Sequence, residues 1–159
     1  MDELAAAAGL SKQGLYLHFP SKEEVFVQAI RKYLDDALAA VQAEVTKPGA
    51  SLYERLLGAM DAWFGRHLAT FTPESFDIIE AGQTLSAEAI EQYKVAFQTK
   101  SARALAEAPE FKRGRNVCTP KEIAQVLFLF GLGWKEGRPS RGEFMKKVGL
   151  CIRACCQLP

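Results

Sequence analysis

The chain predicts an all-α protein, and three observations carry that reading. Apolar residues recur at spacings of three and four, the period of a helix face, and nowhere alternate as a strand would. Helix starts are spelled out: Ser21 with Glu24, Ser51 with Glu54, Thr119 with Glu122 and Ser140 with Glu143 each have the Ser/Thr-x-x-Glu form of a capping box. Breaks between the periodic segments carry proline with glycine, as in Lys47-Pro48-Gly49 and Glu136-Gly137-Arg138-Pro139.

In order along the chain, a short Ala-rich helix from about Leu4 stops at Gly9. Leu10 plugs the turn, and Ser11 caps a second short helix, Lys12 to Phe19, that Pro20 closes. A long helix from Lys22 to Val45 follows, with Phe26, Ile30, Tyr33, Ala37 and Val41 as its stripe. At 1.5 Å per residue it spans ~36 Å, enough to leave one unit and enter another. Ser51 to Ala69 is the next helix, carrying Leu52, Leu56, Met60, Trp63, Phe64 and His67. Thr72-Pro73 opens a short one reaching Gln83, and Ser86 to Ala108 a longer one with Ile90, Tyr93 and Phe97 on one side. Glu110 to Asn116 reads as a basic loop. Pro120 to Lys135, with Pro120 at the first helical position, and Ser140 to Leu158 complete the set. The expected division is a region over 1–46 and a helical domain over 47–159.

Composition narrows the function classes. With 48% hydrophobic and 25% charged residues, the 159-residue chain is an ordinary globular protein. No apolar run approaches a membrane span, and the start lacks a basic region followed by an apolar stretch, so a soluble, cytoplasmic protein is expected. The net charge of +1 does not suggest a nucleic-acid partner. Its distribution does not either: from Ser101 onward eleven Lys/Arg face five Asp/Glu, whereas Met1 to Lys47 has five against seven. No nucleophile–base spacing, phosphate loop or metal set is present, so neither an enzyme nor a cofactor is expected. Cys118 stands alone, and Cys151, Cys155 and Cys156 crowd the last nine residues. Adjacent Cys155 and Cys156 pair poorly, and no C-x-x-C spacing appears. Reduced, inert thiols are the plain reading; a cysteine-based redox or metal sensor is the alternative.

The strongest local signal is the run from Leu4 to Glu24. Two short helices joined by a tight turn are the grammar of a helix-turn-helix, whose second helix enters the DNA major groove. Leu15 and Phe19, four apart, face inward, leaving Lys12, Gln13, Tyr16 and His18 outward. Gln13 suits a base edge, since a carboxamide matches the paired acceptor and donor of adenine. Gly14 permits close backbone approach, and Lys22 joins its charge to free N–H groups at a helix start. The DNA-binding set is therefore Ser11, Lys12, Gln13, Gly14, Tyr16, His18 and Lys22.

Ala8-Gly9-Leu10-Ser11-Lys12, then Leu15-Tyr16-Leu17-His18-Phe19 and Ser21-Lys22-Glu23, resemble the DNA-binding half of the tetracycline-repressor (TetR) family of bacterial regulators. The resemblance spans about two dozen residues. It implies that Tyr16 contacts a phosphate and that Gly14 stands where the family often has Thr. It also implies a further helix ahead of the first one here, so the unit is expected without the family's first helix. Such a helix would cover Leu4, Leu15 and Phe19.

The same resemblance implies an effector pocket and a twin. For a small, mostly apolar effector the expected lining is Met60, Trp63, Phe64, His67, Phe71, Phe76, Ile79, Gln83, Tyr93, Phe97 and Phe128, with Glu80 as a further polar group. The last two helices are apolar on more than one face, and the resemblance implies a homodimer through them. The expected interface residues are Ala124, Leu127, Gly131, Trp134, Met145, Val148 and Ile152. The function implied is a ligand-responsive, DNA-binding transcriptional regulator, a repressor on a near-palindromic operator. The rival is a helical dimerisation or ligand-binding module that does not bind DNA.

Overall fold

Helix starts organise this chain, and several among the described residues have an identifiable chemical cap. The structure, a computed structural model, describes residues 1–66, 68, 87–113, 117–136 and 139–156. Among them all regular structure is helical. Helix α1 (Asp2–Ala7) ends where Gly9 adopts φ 66°, letting the Leu10 N–H reach back to the Ala5 carbonyl at 2.9 Å. Ser11 then caps α2 (Lys12–His18) by accepting the Gly14 N–H at 3.0 Å. Phe19, ahead of Pro20, is extended and cannot continue the helix.

Helix α3 (Lys22–Val45) has the expected bounds. Its cap is half a box. Ser21 Oγ accepts the Glu24 N–H at 3.1 Å, but the Glu24 carboxylate accepts from Gln28 Nε2 at 2.8 Å instead of turning back. The boxes at α4 (Leu52–Met60), α7 (Pro120–Glu136) and α8 (Arg141–Cys156) are complete. Backbone N–H groups of Ser51, Thr119 and Ser140 donate to Glu54, Glu122 and Glu143 at 2.8, 2.7 and 3.0 Å. Gly49, at φ 73°, turns the chain between α3 and α4.

Two expectations are corrected. The helix from Ser51 does not run on unchanged: after Met60 it widens into a π-helical turn, Asp61–Gly65, where the Arg66 N–H bonds the Asp61 carbonyl at 2.9 Å. The supposed loop after Glu110 instead begins as α6 (Pro109–Arg113). Pro109 suits a first helical position, Phe111 is buried, and Glu110 accepts the otherwise orphaned Leu52 N–H at 3.4 Å. Helix α5 (Ala87–Glu107) matches its expected span within a residue at each end. The expected short helix over Pro73–Gln83 lies outside the described residues.

Helix α4 sits at the centre. Leu52, Leu56, Ala59 and Met60 are each about 1% exposed. They pack with Val41 and Val45 of α3, Phe97 and Leu105 of α5, Ile123 and Leu127 of α7, and Phe144, Val148 and Ile152 of α8. Phe64, Phe97 and Phe128 lie 5.5–6.1 Å apart between ring centroids in tilted and edge arrangements. The stripe on α3 is buried only in its second half: Ala37, Val41 and Val45 are covered, Phe26 and Ile30 partly so, and Tyr33 is exposed. Helix α3 thus begins beside α2 and ends inside the larger helical core.

Candidate nucleic-acid interface

Within the first two dozen residues the inward set is small. Ala5 and Leu15 are buried, at 3% and 4% exposure, and Phe19 is half-buried. One turn of α2 away, Lys12, Gln13, Tyr16 and His18 are all exposed, so the outward set stands together on one helix. Leu17 is 84% exposed beside them, a residue the sequence reading did not single out. Its apolar side chain on a polar surface was the available signal. Lys22 stands exposed at the first position of α3. There the amide groups not yet paired in the helix point outward with a partial positive charge.

Two members of this set have other engagements. Ser11 Oγ is an acceptor in its own helix cap, which leaves its hydroxyl hydrogen for an outside oxygen. Lys12 Nζ is paired with Asp2 Oδ2 at 2.9 Å, tying α1 to α2. The pair lowers the Asp2 carboxyl and raises the Lys12 ammonium, each chiefly through the hydrogen bond they share. Gly14 is half-buried, and a Cβ there would meet Ser11 Oγ at 3.2 Å, so the residue helps the cap close as much as it bares backbone.

The expected effector lining divides three ways. Met60, Phe64, Phe97 and Phe128 are buried and pack against one another as core, with Trp63 half-buried 5.6 Å from Phe97. Tyr93 does not join them. Its hydroxyl donates to Asp35 Oδ1 at 2.9 Å and ties α5 to α3, and burial pushes its pKa upward. His67, Phe71, Phe76, Ile79, Glu80 and Gln83 lie outside the described residues.

Most of the residues expected at the subunit surface lie inside the chain's own core. Ala124, Leu127, Gly131, Val148 and Ile152 are covered by the chain's own helices, so they present nothing to a partner. Met145 is half-buried and Trp134 is 38% exposed, stacked 6.0 Å from Phe130 with Lys147 over its ring. The apolar residues of α7 left outside are Val126, Leu129 and Leu132, at 45, 60 and 41%, and Leu150 of α8 is 54% exposed. Val126, Leu129 and Gly133 fall on one face, about 100° from the buried Ile123–Leu127 stripe. Apolar period marks both faces of α7 alike; packing against α5, α8 and the π-helical turn covers one and leaves Val126 and Leu129 outside.

Among the cysteines, Cys118 is exposed, Cys151 and Cys155 are half-buried and Cys156 is buried. Burial, reinforced by neighbouring thiols, pushes Cys151 and Cys156 up to about 12. Both of these thiols are thereby held in the protonated form at neutral pH.

Residues 1–29 match a family described as bacterial regulatory proteins, tetR family. The matched stretch contains α1, α2 and the first turns of α3, the segment that carries the outward set. A 64-residue segment is 34% identical to the HTH-type transcriptional activator FasR of Mycolicibacterium smegmatis. That segment is 40% of this chain and 29% of the relative, so the chain matches under a third of that protein's length. No solved structure matches. No helix among the described residues is long and apolar enough to cross a membrane.

Proposed function

We propose that the chain is a DNA-binding transcriptional regulator of the TetR type, cytoplasmic, acting as a homodimer on a site with two related halves. One observation carries the reading: the residues that would meet DNA, Lys12, Gln13, Tyr16 and His18, stand exposed on a capped two-turn helix inside the family-matched segment. In this reading residues 1–46 form the DNA-binding region with its connecting helix, and 47–159 the effector and dimerisation region. Gln13 reads a base edge; Tyr16 and Lys22 hold phosphates. Lys12 exchanges its Asp2 partner for a phosphate, a trade between two exposed ionic contacts.

Dimerisation falls to the exposed face of α7 and α8, with Val126, Leu129 and Leu150 in place of the buried residues expected from sequence. Two recognition helices must sit one DNA turn apart, ~34–36 Å, to enter successive major grooves. A small apolar effector would change that spacing only by binding two tilts of α3 unequally. Trp63, half-buried against Phe97, gives a fluorescence report on effector binding. The relative's name describes an activator, whereas repression is the sense we read here. Blocking or recruiting polymerase depends on where the operator lies.

Salt and sequence titrations on duplexes selected from a random pool test the reading. Lys22→Ala should weaken all sequences alike and lower the salt slope by about one. Gln13→Ala should relax preference at one base pair per half-site, costing roughly 1–3 kcal/mol against the correct base. Uniform loss from Gln13→Ala together with altered preference from Lys22→Ala would misplace the recognition helix. Absence of any selected sequence would favour the module that does not bind DNA.

A further inference from the structure

Helix α8 carries a pair of sulfurs that the regulator reading leaves unused. Cys151 and Cys155 are one turn apart, and their Sγ atoms lie 3.9 Å from each other. Both are half-buried, against the core on one side and reachable from solvent on the other.

Helix geometry decides what such a pair can take. Side chains four apart on an α-helix have Cβ atoms about 5–6 Å apart. A disulfide needs them at roughly 3.5–4.5 Å, so oxidation would require the helix to deform. A bridging atom between the sulfurs needs no such approach. With bonds of the length zinc makes to sulfur, about 2.3 Å, sulfurs 3.9 Å apart subtend roughly 116° at a shared atom. That angle suits a centre with three ligands or more and is far from the linear arrangement. Among the described residues no group of three or more His, Cys, Asp or Glu is placed to hold a metal ion. The described residues therefore supply two ligands and not the four of a closed structural zinc site.

We propose that Cys151 and Cys155 form a two-thiol clamp for a soft, thiophilic centre that brings its own third ligand, either trivalent arsenic or monovalent copper. Thiolate sulfur selects such soft centres over the harder divalent ions. With an organoarsenic oxide, two S–As bonds form, and the two thiol protons leave with the oxide oxygen as water. With monovalent copper, two S–Cu bonds form and two protons pass to solvent. Neither step needs an oxidant, and the clamp is independent of whether the chain binds DNA.

The reduced full chain, titrated without oxygen with phenylarsine oxide or with monovalent copper, tests this by intact-protein mass and by counting free thiols. The expected result is one adduct per chain with two of the four thiols consumed. The adduct should disappear in Cys151→Ala and in Cys155→Ala and persist in Cys118→Ala and Cys156→Ala. Cys151→Ser and Cys155→Ser, checked for wild-type helicity, guard against a folding defect. Binding of one probe alone would support the clamp and identify its source. Binding of neither at micromolar concentration, or an adduct that survives loss of Cys151 and Cys155, would overturn it.

Discussion

A single hydrogen separates Gly131 from a steric conflict. A Cβ there would come within 2.5 Å of Phe64 Cε2 and 2.8 Å of the Met60 methyl, in the middle of the core. Gly131→Ala should therefore cost roughly 1–3 kcal/mol, the usual range for overpacking. Gly133, two residues on, has nothing within 4 Å of its would-be Cβ, and Gly133→Ala should gain up to about 1 kcal/mol of helix propensity. Thermal unfolding of the two variants should move in opposite directions; equal shifts would contradict the packing of α7 on α4. The bidentate pair between Arg141 and Asp61, at 2.9 and 2.6 Å, pins the start of α8 to the π-helical turn. Arg141 is more than half exposed, so solvent screens the pair. A double-mutant cycle should return no more than about 1 kcal/mol, falling with added salt. The sequence held no sign of this contact, because it joins residues 80 positions apart.

Elements were more legible than contacts. Caps are local, and three Ser/Thr-x-x-Glu boxes closed as their spacing requires. The fourth did not, because a glutamine one turn away competed for Glu24. Apolar period alone did not reveal the π-helical turn, which preserves the run of buried residues while changing the hydrogen-bond register. Nor did it distinguish the inner face of α7 from its outer one. The boxes make a pH prediction. Glu54, Glu122 and Glu143 are held below their ordinary value of 4.5, the first two chiefly by the backbone N–H each accepts and Glu143 chiefly by the Ser140 hydroxyl. Groups depressed in the fold stabilise it above their unfolded pKa and lose that contribution as pH falls through the folded value. Melting temperature should thus hold above pH 4.5 and fall below it, and Glu54→Gln should flatten that acid limb. An acid limb unchanged by the substitution would contradict the box. Ser51→Ala should cost about 1 kcal/mol at neutral pH by removing the hydroxyl that accepts the Glu54 N–H.

At the scale of the molecule, α3 runs from the first two helices into the larger core, and the proposed function makes it the link between DNA contacts and a dimer. The first two helices were legible because their turn chemistry and outward residues lie within two dozen positions. The exposed face of α7 was not, because only its packing against distant helices decides which apolar residues stay outside. Leu129→Glu should leave the monomer's stability within about 0.5 kcal/mol, since the side chain is already 60% exposed. Sedimentation should nonetheless shift from about 35 kDa, twice the 17.5 kDa chain, to the chain mass. Binding of the wild-type chain and Leu129→Glu to selected duplexes bearing one half-site or two, measured by anisotropy over a range of salt, decides whether the chain reads DNA as a dimer. Two chains should occupy the two-half duplex, with affinity far above the single half, and Leu129→Glu should lose that difference while keeping weak salt-dependent binding. Tight binding of one chain to a single half-site, or no binding to any duplex at low salt, would contradict that reading.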